Sequence, residues 1–375
     1  MSKFYFINSS YSPNTASGNR LWAMLKVLSE MKIETEVVYF ISDNNRSEAP
    51  NLEHIHFNYY WKKLNIKNPK LQILAYIYIY AHMFLRTLKS GDIVYIYGCN
   101  ELLCNLVKKK GVKIYHERTE HPEVSKLKLL NLPKYLEACS KVDRLFVISR
   151  NLKTYFSSIG VAPEKIEIIN MTVDQSRFKG LKKNPKERYI AYCGKATNNK
   201  DGVNILIKAF QYVSNRHSDI KLYIIGTPPN NNDESDNIQL VKELNLVDKI
   251  VFTGIVSYRD MPQILKNAEI LVLARPSNKQ AEYGFPTKLG EYLLTGNPVV
   301  ITDVGNISDF LTDRVSAMIA KPNDEIDFAD KVNWLLDHKE EASTIGENGA
   351  KVACSQFDSK IESTKIIDSI FNIKF

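Results

Sequence analysis

The feature that most constrains this chain is a rhythm of short, almost uninterrupted apolar runs separated by amphipathic helical stretches, and it occurs twice. In the first half Phe4–Asn8 reads as a strand, followed by a Ser/Pro/Asn/Gly loop and a helix through Leu21–Met31. Further strands are predicted at Val37–Ile41, Ile93–Tyr97, Lys113–His116 and Leu145–Ile148. The second half repeats the theme at Tyr189–Tyr192, Lys221–Ile225, Lys249–Phe252, Ile270–Leu273 and Pro298–Ile301. Runs that are apolar throughout, rather than alternating, belong to parallel strands covered by helices on both faces. Two such series in succession predict two doubly wound α/β domains.

The length of 375 residues agrees with two cores of ordinary size. The stretch Phe178–Arg188 (FKGLKKNPKER) is basic, holds Gly180 and Pro185 and lacks an apolar period, so it reads as the junction. The expected division is therefore residues 1–178, residues 186–352 and a C-terminal segment 353–375. The spacing of Ile361, Ile366, Ile367, Ile370 and Phe371 makes that last segment helical, and it is expected to cross back to the first domain.

Composition excludes several classes. At 44% hydrophobic and 25% charged residues the chain is globular. The longest uncharged apolar run, Leu71–Leu85, has 15 residues, whereas a spanning helix needs roughly 20. It is expected to pack in a core. The N-terminal residues lack a charged, then apolar, then small pattern, so no secretory leader is expected. Cys99, Cys104, Cys139, Cys193 and Cys354 form no CxxC pair, which argues against a zinc site or a disulfide framework and for a reducing compartment.

The charge is uneven. Residues 1–178 hold 25 Lys and Arg against 16 Asp and Glu, a balance of +9; the remainder hold 25 against 26. A basic excess confined to one half suits an anionic partner, or is an ordinary solvated Lys-rich surface.

Chemistry concentrates in Glu282–Thr302, EYGFPTKLGEYLLTGNPVVIT. Gly284 and Pro286 make a turn, Pro286 or Thr287 opens a helix, and Gly296-Asn297-Pro298 ends it before a strand. Free N–H groups and the positive dipole end of such a helix suit phosphate. Glu291 follows Thr287 by one turn, where a carboxylate can accept both hydroxyls of a ribose. The plainer reading pairs Glu291 with Lys288 on the surface.

This stretch resembles the signature of glycosyltransferase family 4, in which two glutamates stand with seven residues between them in such a loop and helix. Glu291 takes the place of the second. The place of the first falls on Tyr283, with Glu282 one residue early, so Glu282 is the candidate for the contact to the donor sugar. Gly194-Lys195 and Lys200-Asp201-Gly202 resemble the family's loop in which two cations reach the donor diphosphate. Phe252-Thr253-Gly254-Ile255-Val256 resembles the strand and loop that meet the base with their backbone. Val147-Ile148-Ser149 and Ile168-Ile169-Asn170 through Phe178 resemble the segments closing the first domain. Ser17-Gly18-Asn19-Arg20 resembles a glycine-containing loop near the phosphates, or is a helix-opening turn capped by Asn19. It lacks a full GxGxxG, which disfavours a dinucleotide enzyme. His116–Pro122 (HERTEHP) resembles a segment near donor sugar and acceptor. Lone His54, His56 and His82 are read as surface or core histidines.

The resemblance implies a GT-B fold, two Rossmann-like doubly wound parallel-sheet domains facing a central cleft, with the donor site built mainly by the second. It implies retaining transfer from a nucleoside-diphosphate sugar to a glycan or lipid-linked acceptor, in polysaccharide or glycoconjugate synthesis. The implied catalytic residues are Glu120, His121 and Glu282. The implied nucleotide-sugar contacts are Gly18, Asn19, Lys195, Lys200, Gly254, Gly284, Phe285, Pro286, Thr287, Lys288, Leu289 and Glu291. No Asp-x-Asp pair stands out for a metal, so no metal or cofactor is expected; positive charge falls to Lys195, Lys200 and the Pro286–Leu289 helix start. An anionic membrane surface beside the aromatic and basic Tyr59–Lys89 region is an expected partner and nucleic acid is not, which places the chain in the cytoplasm, peripheral on the inner membrane face. Two alternatives remain at this point: a nucleotide-sugar epimerase on the same fold, and a catalytically silent binding subunit.

Overall fold

The computed structural model describes residues 3–8, 16–39, 51–59, 71, 78, 81–82, 86–96, 108, 110–124, 132–227 and 232–372. The chain divides into two compact units, Met1–Asn170 with Lys360–Phe375, and Met171–Ser359.

The first unit is built on a seven-stranded sheet of β1 (Phe4–Asn8), β2 (Thr35–Tyr39), β3 (Ile55–Tyr59), β4 (Ile93–Ile96), β5 (Lys113–Arg118), β6 (Arg144–Val147) and β7 (Ile166–Ile168). The order is β3-β2-β1-β4-β5-β6-β7, and every pairing is parallel. All four residues of β4 are buried, as a strand covered on both faces requires. Helix Ala16–Glu30 follows β1 and buries Leu21, Met24, Leu25 and Leu28 at helical spacing against the sheet. It begins before the expected Leu21, so Gly18 and Asn19 lie in its first turn and Asn19 is not a cap.

The second unit repeats the plan with β8 (Tyr189–Cys193), β9 (Lys221–Ile225), β10 (Ile250–Gly254), β11 (Ile270–Leu273), β12 (Val299–Thr302) and β13 (Met318–Ala320). The parallel order is β10-β9-β8-β11-β12-β13. In each sheet the winding reverses beside the first strand, between β1 and β4 and between β8 and β11. Open α/β sheets bind ligands in the crevice at the carboxyl ends of the strands there. Helix Val203–Arg216 buries Val203, Leu206, Ile207, Phe210 and Val213, and helix Glu325–Asp337 lies against it with Phe328 and Val332 buried.

The units part between Asn170 and Met171, ahead of the expected Phe178. Local packing gives the reason. Val173 N donates to Phe357 O at 2.8 Å and Ser359 N to Val173 O at 3.1 Å, while Gln175 Nε2 donates to Asp358 at 2.7 Å. Met171 and Val173 lie so close to Gly290 that a Cβ there would meet the Met171 methyl at 2.4 Å. Phe178–Arg188 is accordingly part of the second unit, where Arg188 pairs with Glu269 at 2.6 Å.

The last segment also starts later than residue 353. Helix Lys339–Gln356 belongs to the second unit, and the chain rejoins the first within helix Ser359–Phe371. Ile366, Ile367 and Ile370 of that helix are buried among Phe4, Phe6, Tyr95, Tyr115 and Phe146. Tyr115 donates its hydroxyl to Ile370 O at 2.9 Å. Each such aliphatic side chain contributes about 1.5–3 kcal/mol by leaving water, so the C-terminal helix is an integral part of the first unit's core.

Of the apolar run Leu71–Leu85 only residues 71, 78, 81 and 82 are described; Leu71 and Tyr78 are 50% and 64% exposed. These two therefore do not serve the core expected of that run. His54 and His56 lie at the surface, paired with Glu34.

Candidate functional site

At the carboxyl end of β8 the chain turns through Gly194 at φ 151°, and Gly194 N donates to Ile225 O of β9 at 2.8 Å. A Cβ at Gly194 would sit 2.2 Å from Lys288 Nζ. Glycine here lets the Lys288 ammonium pass directly over the backbone, where it donates to Asp201 Oδ2 at 2.6 Å and to the Tyr192 hydroxyl at 3.0 Å. The Tyr192 hydroxyl in turn lies 2.7 Å from Asp201 Oδ2 and 2.8 Å from Lys195 O, two acceptors within reach of its one proton. Burial lowers the Lys288 pKa, with Asp201 opposing that shift, and burial foremost raises that of Tyr192 well above its ordinary value. Lys288, expected to meet the donor or to pair with Glu291, is instead held by Asp201 beneath the loop. The same arrangement leaves Lys195 and Lys200 exposed on the loop above.

Glu291 lies one turn into helix Lys288–Leu294, and its carboxylate pairs with Arg177. Arg177 also donates to Tyr258 O at 2.9 Å and stacks its guanidinium 3.6 Å from the centre of the Tyr258 ring. The next residue, Tyr292, accepts from Cys193 N at 2.6 Å, which clasps the helix to the end of β8. The Cys193 thiol is pushed up to about 12 by burial and by Glu291, so it is no nucleophile near neutrality.

The remaining expected contacts divide by burial. Leu289 is fully buried, and Phe285 packs its ring against Phe310 and Phe357 at 5.3 and 5.6 Å. Both side chains are therefore core, which corrects their expected contact with the donor to a backbone one at most. Gly284 and Pro286 are buried, and Thr287 is exposed at the helix start. Glu282 is exposed in helix Lys279–Tyr283, whose cap Asn278 donates to Asn199 O at 2.6 Å and so ties this helix to the lysine loop. Gly254 ends β10 at φ 70° with open space where a Cβ would lie.

In the first unit, Arg20 of the helix carrying Gly18 and Asn19 pairs with Glu117 of β5 at 3.1 Å, and Tyr95 of β4 donates to the same carboxylate at 2.5 Å. This buried junction brings the Gly18 turn and the His116–Pro122 segment together. β5 runs on to Arg118, so Glu117 and Arg118 lie within the strand rather than after it. His121 is buried, its ring tilted against that of Tyr155 with centroids 4.2 Å apart, and its Nδ1 accepts from Glu123 N. Glu120 is half-buried, and its carbonyl accepts from Arg118 at 2.9 Å. Sequence reasoning assigned no role to Arg177, Arg20 and Asp201, although each lies in a stretch that it singled out. Each is a charged residue whose partner lies on another strand or helix, a pairing that no local spacing announces.

Residues 173–352 match the family model of glycosyl transferases group 1. That stretch carries β8 to β13 and every second-unit residue of the site. Among curated proteins, the capsular polysaccharide biosynthesis glycosyltransferase CapM of Staphylococcus aureus is 28% identical over 208 residues, 55% of this chain and 50% of that protein. The α-D-kanosaminyltransferase of Streptomyces kanamyceticus is 26% identical over 179 residues, 46% and 44% of the two chains. The chain spans about half the length of the curated relatives it matches. Among solved structures, Anabaena Alr3699/HepE in complex with UDP superposes with a TM-score of 0.76 at 15% identity, covering 99% of this chain and 100% of that one. The sucrose-phosphate synthase of Thermosynechococcus elongatus gives 0.77 at 14%, covering 99% of each. These likenesses show the fold, two Rossmann-like parallel-sheet domains of the GT-B type.

His116 supplies a measurable consequence of the first unit's geometry. It is fully buried, with Nδ1 2.9 Å from Ile96 O and Nε2 3.0 Å from the Tyr135 hydroxyl. A carbonyl only accepts, so Nδ1 carries the proton and Nε2 accepts from Tyr135. Burial, against the Ile96 hydrogen bond, pushes its pKa down to about 4. The unfolded chain then binds a proton near pH 6.5 that the folded chain refuses until about pH 4, so stability is full above 6.5 and falls across that window. The expected loss is up to about 3 kcal/mol. Urea titrations read at Trp22, with Trp61 and Trp334 changed to Phe, should show this slope in the parent and a flatter one in His116→Gln. Equal slopes in both would remove His116 from the acid response.

Proposed function

We propose that this chain is a nucleotide-sugar-dependent glycosyltransferase, moving a sugar from a nucleoside diphosphate to a glycan or lipid-linked acceptor with retention. One observation carries the reading. Within the stretch that matches the group 1 family, a carboxylate (Glu291) and two exposed ammonium groups (Lys195 and Lys200) share the carboxyl edge of one parallel sheet. A nucleoside diphosphate asks for that combination, a carboxylate for the ribose hydroxyls and cations for a diphosphate that gains charge as the glycosidic bond breaks. The UDP bound by HepE makes UDP the first donor base to test, with GDP beside it.

In this reading Gly194, Lys195 and Lys200 face the diphosphate, with Phe285 and Thr287 offering backbone N–H groups around the Gly284–Pro286 turn, and Glu282 stands nearest the donor sugar. Lys288 acts from below by holding the loop through Asp201. The first unit is assigned the acceptor, with Gly18, Asn19 and Glu120, the last more exposed than His121, as its own candidate contacts. No metal or organic cofactor takes part in the proposal. The chain works in the cytoplasm at the inner membrane face, in polysaccharide or glycoconjugate synthesis. No helix among the described residues is long and apolar enough to cross a membrane.

The donor reading is checked by thermal shift and calorimetry with UDP and GDP, since a ligand of the folded state raises its melting temperature. Glu291→Ala should weaken the nucleotide that binds by about 1–3 kcal/mol, the scale of hydrogen bonds to a charged group. Unchanged affinity would remove Glu291 from the ribose.

Turnover is followed by NMR with the matching nucleotide sugar in excess chelator. Transfer or slow hydrolysis should persist and give a product of the donor's anomeric configuration. Lys195→Ala and Lys200→Ala should slow it more than they weaken nucleoside binding. A donor that binds and never turns over would favour the silent subunit, a reading that draws support from Tyr283 standing in the first glutamate's place.

The membrane role rests on the +9 balance of residues 1–178. Of its proposed contacts, Tyr60, Trp61, Lys62 and Lys63 lie outside the described residues. Vesicles rich in anionic lipid should co-sediment with the chain at low salt and release it as salt rises, and Lys62→Glu with Lys63→Glu should weaken that binding while donor binding holds. Absence of binding at low salt, with full activity on a water-soluble acceptor, would leave the basic excess a matter of solubility.

A further inference from the structure

Arg177 has no role of its own in the sequence reading, yet three separate segments of the second unit meet on it. It sits in the 3-10 turn Gln175–Phe178, which is pinned at its start by Asp174 accepting from Ser176 N at 2.9 Å and from Ser176 Oγ at 2.6 Å. From that turn one guanidinium nitrogen pairs with Glu291 Oε1, the other donates to Tyr258 O at 2.9 Å, and the plane stacks on the Tyr258 ring. Side-chain exposure is 12% for Arg177 and 23% for Glu291, so the pair is largely withdrawn from water while the carboxylate keeps an open side.

The geometry uses what distinguishes arginine from lysine. A planar fork holds two acceptors in different directions at once and offers a flat face to an aromatic ring; an ammonium is a single point of charge. The two acceptors are functionally distinct. Glu291 stands on helix Lys288–Leu294, and Tyr258 lies in the loop that leaves β10 after Gly254 and Ile255, the latter 80% exposed. In the reading given above these are the ribose side and the base side of one nucleoside. A ribose and its base are joined at a fixed distance, so both sides must be correctly spaced together for either contact to form.

We propose that Arg177 is the positioning residue for the nucleoside half of the donor, setting the spacing between the Glu291 carboxylate and the loop at Tyr258. It touches neither reacting atom and acts through Glu291 and the loop. The inference rests on the donor reading, and it makes a demand that a plain structural ion pair does not: the loss must fall on the nucleoside and spare the diphosphate.

The test measures dissociation constants by calorimetry for UDP and GDP, continuing with whichever binds the parent chain more tightly, its 2′,3′-dideoxy analogue and inorganic pyrophosphate. The proteins are the full parent chain, Arg177→Ala, Arg177→Lys and Glu291→Ala. Arg177→Ala should weaken the nucleotide by about tenfold or more, leave pyrophosphate unchanged and shrink the penalty for removing the ribose hydroxyls. Arg177→Lys should remain impaired, and millimolar guanidinium should restore part of the affinity to Arg177→Ala alone. Should Arg177→Ala fail to fold, Arg177→Lys carries the same comparison. Parental affinity in the Arg177 variants, with Glu291→Ala weakened, overturns the proposal and leaves the donor site standing. Equal loss for nucleotide and pyrophosphate also overturns it, in favour of a general structural role. Unchanged binding in Glu291→Ala, or no binding of either nucleotide by the parent chain, overturns the donor reading and this proposal together.

Discussion

The buried ion pair between Lys288 and Asp201 is the interaction on which the second unit's working edge depends. Side-chain exposure is 20% and 5% for the two. Charges so far from water are tolerated only when paired and hydrogen-bonded, and the Tyr192 hydroxyl supplies the third member. Loss of either charge would strand the other at a cost of about 3–5 kcal/mol. The pair also dictates backbone: the ammonium reaches Asp201 only because Gly194 has no side chain in its path. One interaction therefore shapes the loop after β8, seats the start of helix Lys288–Leu294 and joins the two.

Other ties complete the frame from beneath. Tyr292 clasps the end of β8, Asn278 bonds to the lysine loop, and Arg177 connects the Glu291 helix to the loop after β10. Exposed above that frame are Lys195 and Lys200, together with one side of the Glu291 carboxylate. Such a division is what a site needs when it must meet a charge that grows during reaction: the scaffold is fixed beforehand, and little reorganisation is left for the moment of bond cleavage.

The sheets were largely legible because their inner strands are apolar on both faces, as in IVYI of β4 and ILVL of β11. The outer strands, such as IHFNY of β3 and IEI of β7, carry polar residues and have no such signal. The turn at Gly284 and Pro286 and the helix that carries Glu291 were legible because turn and helix-start chemistry is local. The partners were not. Lys288 and Glu291 share a helical face and invite an i,i+3 pairing, but each instead finds a charge far off in sequence, Asp201 and Arg177. The boundary of the second unit was misplaced for a related reason. Loop composition marks flexibility, whereas the true boundary is set by Met171 and Val173 filling the space beside Gly290. Phe285 and Leu289 stood inside a functional motif and were read with it, although their role is to pack beneath it.

The central claim is that the carboxyl edge of the second sheet holds a nucleoside diphosphate by its ribose and its phosphates together. The most direct measurement is a crystal structure of the chain with UDP, or with GDP should that bind more tightly. The ribose hydroxyls should lie within hydrogen-bond distance of Glu291, the phosphates beside Lys195 and Lys200, and the Lys288 ammonium should remain on Asp201. A nucleotide bound away from Glu291, or phosphates that displace Lys288 from Asp201 while Lys195 and Lys200 point to solvent, would contradict the account.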